Sequence, residues 1–166
     1  MYNDSKEEKG ENMYYYIFKT SIGNLLIEET DDRITKVTTS TKITGSDYIN
    51  KKTKLIANCA KQIDEYLDGK RTVFDIPIHL KGTEFQKKVW NALLKIPYGR
   101  TLSYSDIATC IGSEKAVRAV GGANNKNPIM IIVPCHRVIG KDGSLVGYGG
   151  GTKMKEKLLE LEAKNE

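Results

Sequence analysis

Ile129-Met-Ile-Ile-Val-Pro-Cys-His-Arg-Val138 is the stretch around which the rest of the chain is organised. Its first five residues are apolar and mostly β-branched, which predicts a buried strand. The run stops at Pro134, and the next three side chains are a thiol, an imidazole and a guanidinium. A rigid core element that ends in reactive side chains is one way a fold presents a nucleophile. Cys135 is therefore the candidate nucleophile and His136 the candidate base.

Such a pair has chemical requirements. A free cysteine with a pKa of about 8.5 is only a few per cent thiolate at neutral pH. Bringing it down to about 7 would ionise roughly half, and His136 and Arg137 are the local groups expected to do so. Adjacent residues of an extended strand point to opposite faces, so His136 meets the thiol only through a turn or a bridging water. A catalytic histidine also needs a third group to orient it. Asp142, Glu156, Glu160 and Glu162 are all candidates, and spacing does not choose among them.

The composition of the 166 residues, 39% hydrophobic and 28% charged, is that of an ordinary globular protein large enough for a good core. No apolar run approaches the roughly 18 residues of a membrane span, and the polar start lacks the apolar centre of a signal peptide. The expected location is cytoplasmic. Three cysteines, Cys59, Cys110 and Cys135, are an odd number without metal-type spacing, which argues against a disulfide framework or a zinc cluster. Charge is unevenly spread. Residues 1–80 carry 12 basic and 13 acidic side chains, residues 81–166 carry 14 and 8, so the basic excess lies in the second half. That half is the one expected to meet a polyanion.

Upstream, residues 1–12 read as a disordered leader. Met13–Lys19 and Asn24–Glu29 flank a short turn and predict a β-hairpin, with a third strand over Arg33–Thr39 after the turn at Asp31-Asp32. The period then changes: Leu55, Cys59, Ile63 and Tyr66 share one helical face within Thr53–Asp68, with Gly69 as the stop, so Cys59 is expected to be core. Thr72–Ile78 contains Pro77 and reads as an edge strand or connector, and His79 has no partner nearby. Thr83-Glu-Phe-Gln86 fits a capping box, followed by Phe85, Val89, Leu93 and Ile96 at helical spacing, with Trp90 read as core. Ser103-Tyr-Ser-Asp106 is a second cap, opening a helix over Tyr104–Ile111. Gly112 ends it, and Ser113 is expected to cap the next helix, about Glu114–Asn124, which would carry Lys115 and Arg118. Two short helices joined by a Gly-Ser turn predict a helix-turn-helix. The glycine run 147–151 lacks the context of a phosphate loop, so nucleotide binding is set aside. Thr152–Lys164 reads as a closing helix.

The domains expected are 13–80, a small α/β unit with an antiparallel sheet plus a helix, and 81–166, mainly helical, giving an α+β protein. Ile132-Val-Pro-Cys-His-Arg-Val138 resembles the active-site signature of the O6-alkylguanine-DNA alkyltransferases (methylated-DNA–protein-cysteine methyltransferases). Pro97-Tyr-Gly-Arg-Thr-Leu-Ser-Tyr104, Ala116-Val-Arg-Ala-Val-Gly-Gly-Ala123, Asn127-Pro128 and Gly147-Tyr-Gly-Gly150 occur in that family's order and approximate spacing. The resemblance is strong over about residues 82–163 and weaker before them.

It implies a ribonuclease H-like roll for the first domain and a single-use DNA repair protein. Cys135 would accept the alkyl group from O6-alkylguanine, and from O4-alkylthymine, in double-stranded DNA and become a stable thioether. His136 would deprotonate the thiol through a water, Glu162 would orient the imidazole, and Asn127 would brace the turn behind Cys135. Tyr104 would lie beside the flipped base and donate to guanine N3. The carbonyls of Cys135 and Val138 would accept from the exocyclic amine, with Tyr148 and Gly149 walling the pocket and Met130 at its edge. Arg118 would fill the gap left by the base, and Lys115 and Ala119 would join it against DNA. The family is implied to lay this helix in the minor groove, whose degenerate pattern suits a protein that should ignore sequence. Gly149 stands where a serine often does, Asn124 where some relatives have a larger apolar residue, and Met130 where some have proline. No cofactor or metal is expected, and the protein is expected to be a monomer that can line up in several copies along DNA. The alternative is a helix-turn-helix protein without enzymatic activity that flags alkylated bases or regulates transcription. A cysteine hydrolase is disfavoured because no oxyanion loop is visible.

Overall fold

The computed structural model describes residues 11–43, 45–146 and 148–165. The expected leader falls mostly outside the described residues. Its last residue, Asn12, is hydrogen-bonded to Asp31 through both its amide and its carbonyl.

The first domain is a sheet with a helix on it. Strands β1 (Met13–Thr20) and β2 (Gly23–Thr30) form an eight-rung antiparallel hairpin. Asp31 and Asp32, with φ of 49° and 63°, make the left-handed two-residue turn into β3 (Arg33–Thr38). Such turns match the natural twist of the strands they join, and aspartate tolerates the conformation. A two-residue strand, β4 (Ile49–Asn50), runs parallel to β1, so the order is β3-β2-β1-β4 and the sheet is mixed rather than antiparallel. Two residues are too few to show a period, which is why the sequence gives no sign of β4. Helix α1 (Lys54–Leu67) is capped by the Thr53 hydroxyl and buries Ile56, Cys59, Ile63 and Tyr66. Gly69, at φ 73°, supplies the left-handed stop that a residue with a Cβ disfavours.

The second domain is mainly helical. Helix α2 (Glu84–Leu93) begins with the capping box of Thr83 and Gln86 and buries Trp90, whose indole N–H donates to the Ala123 carbonyl at 2.9 Å. A short strand β5 (Leu102–Ser103) leads into α3 (Tyr104–Cys110), which also opens on a capping box, from Ser103 and Asp106. Helix α4 is shorter than expected, Val117–Asn125, and Ser113 does not cap it with its side chain. Instead the Ser113 carbonyl closes a turn with the Ala116 amide at 2.8 Å, so Lys115 sits in the turn ahead of the helix. Strand β6 (Val138–Ile139) and helix α5 (Thr152–Lys164) complete the domain.

Ile129–Val133 is the main departure from the sequence reading. Only Ile129 pairs with a strand: it bridges to Val37, with the Val37 amide on the Pro128 carbonyl at 2.9 Å and the Met130 amide on the Val37 carbonyl at 3.0 Å. The chain then curls on itself, with Ile131 at φ 73° and the Val133 amide on the Ile129 carbonyl at 3.0 Å. The cause is local. The Asn127 side chain accepts from the Ile129 amide at 3.0 Å and donates to the Val133 carbonyl at 2.7 Å, and Pro134 has no N–H for a ladder. The run is still buried, and one continuous apolar core joins the sheet, α1, α2, α4 and this turn. Among the described residues no helix is long and apolar enough to cross a membrane.

Candidate active site

Cys135 opens a 3-10 turn, Cys135–Arg137, between the curled segment and β6. The turn replaces the extended geometry that would have sent Cys135 and His136 to opposite faces, and both are buried, at 3% and 0% exposure. Parallel pairing of β6 with β5 ties the strand after Cys135 to the two residues just ahead of α3, which brings Tyr104, the first residue of that helix, into the same neighbourhood. Helix α5 closes the site with two side chains seven residues apart on one face, Lys155 and Glu162, both buried.

Glu162 is the hub. Oε1 accepts from His136 Nε2 at 2.8 Å, from the Tyr66 hydroxyl at 2.8 Å and from Arg137 Nη2 at 2.8 Å. Arg137 Nε reaches both carboxylate oxygens, and the Gly99 amide donates to Oε2 at 3.3 Å. Arg137 Nη1 is spent on the Ile96 carbonyl at 2.7 Å. Burial raises the Glu162 pKa, but the hydrogen bonds from His136 and Arg137 outweigh it and hold the carboxyl at about 2. An ionised carboxylate can only accept, so the proton of His136 sits on Nε2. Burial also pushes the imidazole pKa down despite Glu162, so the ring is neutral and Nδ1 carries a lone pair. Nδ1 is buried and has no hydrogen-bond partner among the described residues. A neutral imidazole fixed at Nε2 and carrying a free lone pair at Nδ1 can act as a base.

The thiol itself differs from expectation. Burial pushes the Cys135 pKa up to about 11, opposed by the Asn127 side chain, the Lys155 ammonium and the local backbone amides. The expected lowering by His136 and Arg137 does not occur, because the ring is neutral and the guanidinium is committed to Glu162. At neutral pH Cys135 is therefore a thiol rather than a thiolate.

Around it, Tyr104 donates to the Val146 carbonyl, and Lys155 Nζ donates to the Val138 carbonyl, to the Val146 carbonyl at 3.2 Å and to the Tyr104 hydroxyl at 3.4 Å. Asn124 Nδ2 donates to the Cys135 carbonyl at 3.3 Å. Met130 and Tyr148 are buried, Val138 completely so, and Gly149 is exposed. A Cβ on Gly150 would come within 2.7 Å of the Met154 sulfur, 2.8 Å of the Met130 methyl and 2.9 Å of the Tyr148 ring, so a larger residue there would displace side chains of this wall. Arg118 and Ala119 are exposed on the first turn of α4, and Lys115 is exposed just before it. They form a surface apart from the buried cluster. A cleft of about 550 Å³ between α2 and α3, lined by Lys88, Lys95 and Arg100 among others, meets the Cys135 cluster only at Ile96, whose carbonyl accepts from Arg137.

Three participants carry no polar role in the sequence reading: Lys155 is not singled out, Tyr66 is read as core, and Asn124 is noted only as a departure from larger apolar residues. Lys155 carries one available signal, a lysine on the buried face of an amphipathic helix with Leu158 and Glu162. Tyr66 sits on an apolar stripe and is indistinguishable from core. Asn124 lies in a polar run with no period.

Two family models match the chain: the ribonuclease-like domain of 6-O-methylguanine DNA methyltransferase over residues 13–80, and its DNA binding domain over residues 84–164. The constitutive methylated-DNA–protein-cysteine methyltransferase of Bacillus subtilis is 47% identical over 156 residues, covering 90% of this chain and 94% of its own. Its counterpart from Methanosarcina acetivorans is 46% identical over 153 residues, covering 90% and 98%. Among solved structures, Mycobacterium tuberculosis OGT in complex with DNA superposes with a TM-score of 0.86 at 43% identity, over 92% of this chain and 94% of that one. With both domains matched and close to half of the residues shared, the chain belongs to the 6-O-methylguanine DNA methyltransferase family, whose members repair DNA directly by moving the alkyl group of O6-alkylguanine to a cysteine of their own.

Proposed function

We propose that Cys135 is the acceptor of this chain and that it works once, on a guanine flipped out of double-stranded DNA. The observation that carries the proposal is the orientation of His136: Nε2 fixed on Glu162 at 2.8 Å and Nδ1 buried without a partner among the described residues. The thiol proton passes through a water to His136 Nδ1. The sulfur attacks the alkyl carbon, the carbon–O6 bond breaks, and its electron pair leaves on the guanine. Tyr104 protonates or hydrogen-bonds the leaving base at N3. The product is a thioether, which has no ready leaving group, so the protein is consumed stoichiometrically. Val138, Tyr148, Gly149 and Met130 line the base, Asn127 holds the turn, and O4-alkylthymine is a second substrate.

Arg118, Lys115 and Ala119 face DNA, with Arg118 entering the stack where the base has left. Extrusion forfeits a few kcal/mol of stacking and pairing, and a planar, always-charged guanidinium suits the gap. That a relative 43% identical has been crystallised with DNA supports this surface. Residues 13–80 act as the α/β domain and 81–166 as the DNA-binding, alkyl-accepting one. The protein acts in the cytoplasm as a monomer, with several copies along one duplex.

The test is a duplex carrying O6-methylguanine, mixed with the protein and followed by mass analysis of the Cys135 peptide. One methyl group per molecule is expected, with Cys135→Ala binding the duplex and gaining none. Retained binding with an unmodified wild-type Cys135 would instead favour a protein that flags lesions or regulates transcription.

A further inference from the structure

Asn124, at the C-terminal end of α4, is 1% exposed and has no part in the steps above. Its donor end is used: Nδ2 reaches the Cys135 carbonyl at 3.3 Å, and the side chain lies near enough to the Tyr104 hydroxyl to oppose the upward push of burial on its pKa. Its acceptor end is not. Oδ1 is buried and has no hydrogen-bond partner among the described residues. Buried amide oxygens are nearly always paired, so an orphan of this kind calls for an explanation. Turning the amide over would set Oδ1 against the Cys135 carbonyl, two acceptors facing each other, so the donor contact fixes which end is free.

A group that sits between the alkyl-accepting cysteine and the tyrosine beside the base, and offers only a lone pair, selects for a base that brings a hydrogen. Alkylation at O6 removes the proton from guanine N1, so the ring nitrogens of O6-alkylguanine are acceptors. The donor left on its base-pairing edge is the 2-amino group. O4-alkylthymine has no donor on that edge.

We infer that Asn124 Oδ1 accepts a hydrogen bond from the 2-amino group of the flipped guanine, which makes Asn124 a specificity-determining residue favouring O6-alkylguanine over O4-alkylthymine. The amino group carries two hydrogens and can serve Oδ1 and one backbone carbonyl together. The inference rests on the methyl-transfer reading. A site built to receive a donor rejects an analogue without it more strongly than an apolar site does, because its own acceptor is then left buried and unpaired.

Three duplexes test this, carrying O6-methylguanine, O6-methylhypoxanthine (the same base without the 2-amino group) or O4-methylthymine. The reading is the single-turnover rate of Cys135 methylation. Wild type is expected to prefer O6-methylguanine over O6-methylhypoxanthine, and Asn124→Leu to shrink that ratio by about tenfold, the worth of one buried hydrogen bond. The preference over O4-methylthymine should shrink with it. Each ratio is taken within one variant, so a loss of folded protein cancels, and Asn124→Ala carries the comparison if the leucine variant does not fold. A ratio unchanged in the variants, or wild type methylated equally by both purines, overturns the inference while leaving methyl transfer intact. No methylation on any duplex overturns the transfer reading and this inference with it.

Discussion

Cys59 and Cys135 are both buried thiols, at 0% and 3% exposure, and burial pushes both up, to about 12 and about 11. Their surroundings differ. Cys59 lies on the apolar face of α1, where nothing offsets desolvation. Cys135 is desolvated to a similar degree but meets the Asn127 side chain, the Lys155 ammonium and two backbone amides, each favouring the charged form. Burial therefore does not distinguish the proposed acceptor from a packing cysteine. What distinguishes them is a polar shell fixed before ionisation, which needs no reorganisation when charge develops on sulfur.

That shell depends on Glu162, and removing its charge should have the largest effect. Glu162→Gln leaves the Arg137 guanidinium buried without its counter-ion and frees the His136 ring to rotate. Breaking a buried pair by removing one partner costs about 3–5 kcal/mol, so the variant should melt well below wild type and transfer methyl far more slowly, whereas no substitution at Cys59 should slow transfer in the folded protein. The pH dependence follows the same groups. The folded-state pKa values of both Glu162 and His136 are depressed, so the unfolded chain takes up protons first as the pH falls. Stability is complete above about 6.5, the free histidine value. It declines as the pH drops, first through His136 and then through Glu162 between 4.5 and about 2. Urea melts at pH 7 and pH 4 check the sign. A protein equally stable at both would break the account of the hub.

The second effect separates the two thiols directly. Cys59→Ser puts a hydroxyl into an apolar stripe with no polar shell and should cost about 1–3 kcal/mol. Cys135→Ser puts the same hydroxyl beside Asn127 and the backbone amides of Cys135 and His136 and should cost less. If denaturant midpoints show equal losses, the polar shell is not what separates these sites.

Much of this contrast was legible in the sequence, unevenly. Capping boxes at Thr83 and Ser103 and the apolar stripe of α1 gave the helices, because those signals are local. The start of α4 was misplaced because Ser113 uses its carbonyl, not its hydroxyl, and sequence does not report that choice. The Ile129 run looked like a strand because hydrophobicity records burial, and burial is satisfied by a curled segment as well as by a straight one. Cys135 and His136 were visible as residue types. Glu162 was one of four acids until the family resemblance selected it, and Tyr66, which reaches it from 96 residues away, had no local signal at all.

The smallest effect, and the sharpest on the thiol itself, concerns Lys155. This lysine is fully buried, and desolvation pulls its own pKa down, partly countered by Cys135. Its ammonium holds the Val138 and Val146 carbonyls and contacts Tyr104, so it both shapes the pocket and lowers the Cys135 pKa. Lys155→Met keeps length and apolar bulk but deletes the charge. The thiol should then rise further, and transfer at neutral pH should slow by about tenfold, equivalent to a change of one in pKa. A purely structural lysine could give the same loss of rate, so the pH profile is the deciding measurement. In the methionine variant the rise of the single-turnover rate with pH should move to higher pH, and Lys155→Arg should restore it. A slower reaction with an unmoved profile would assign Lys155 to positioning alone, and the polar shell of Cys135 would then rest on Asn127 and the backbone amides.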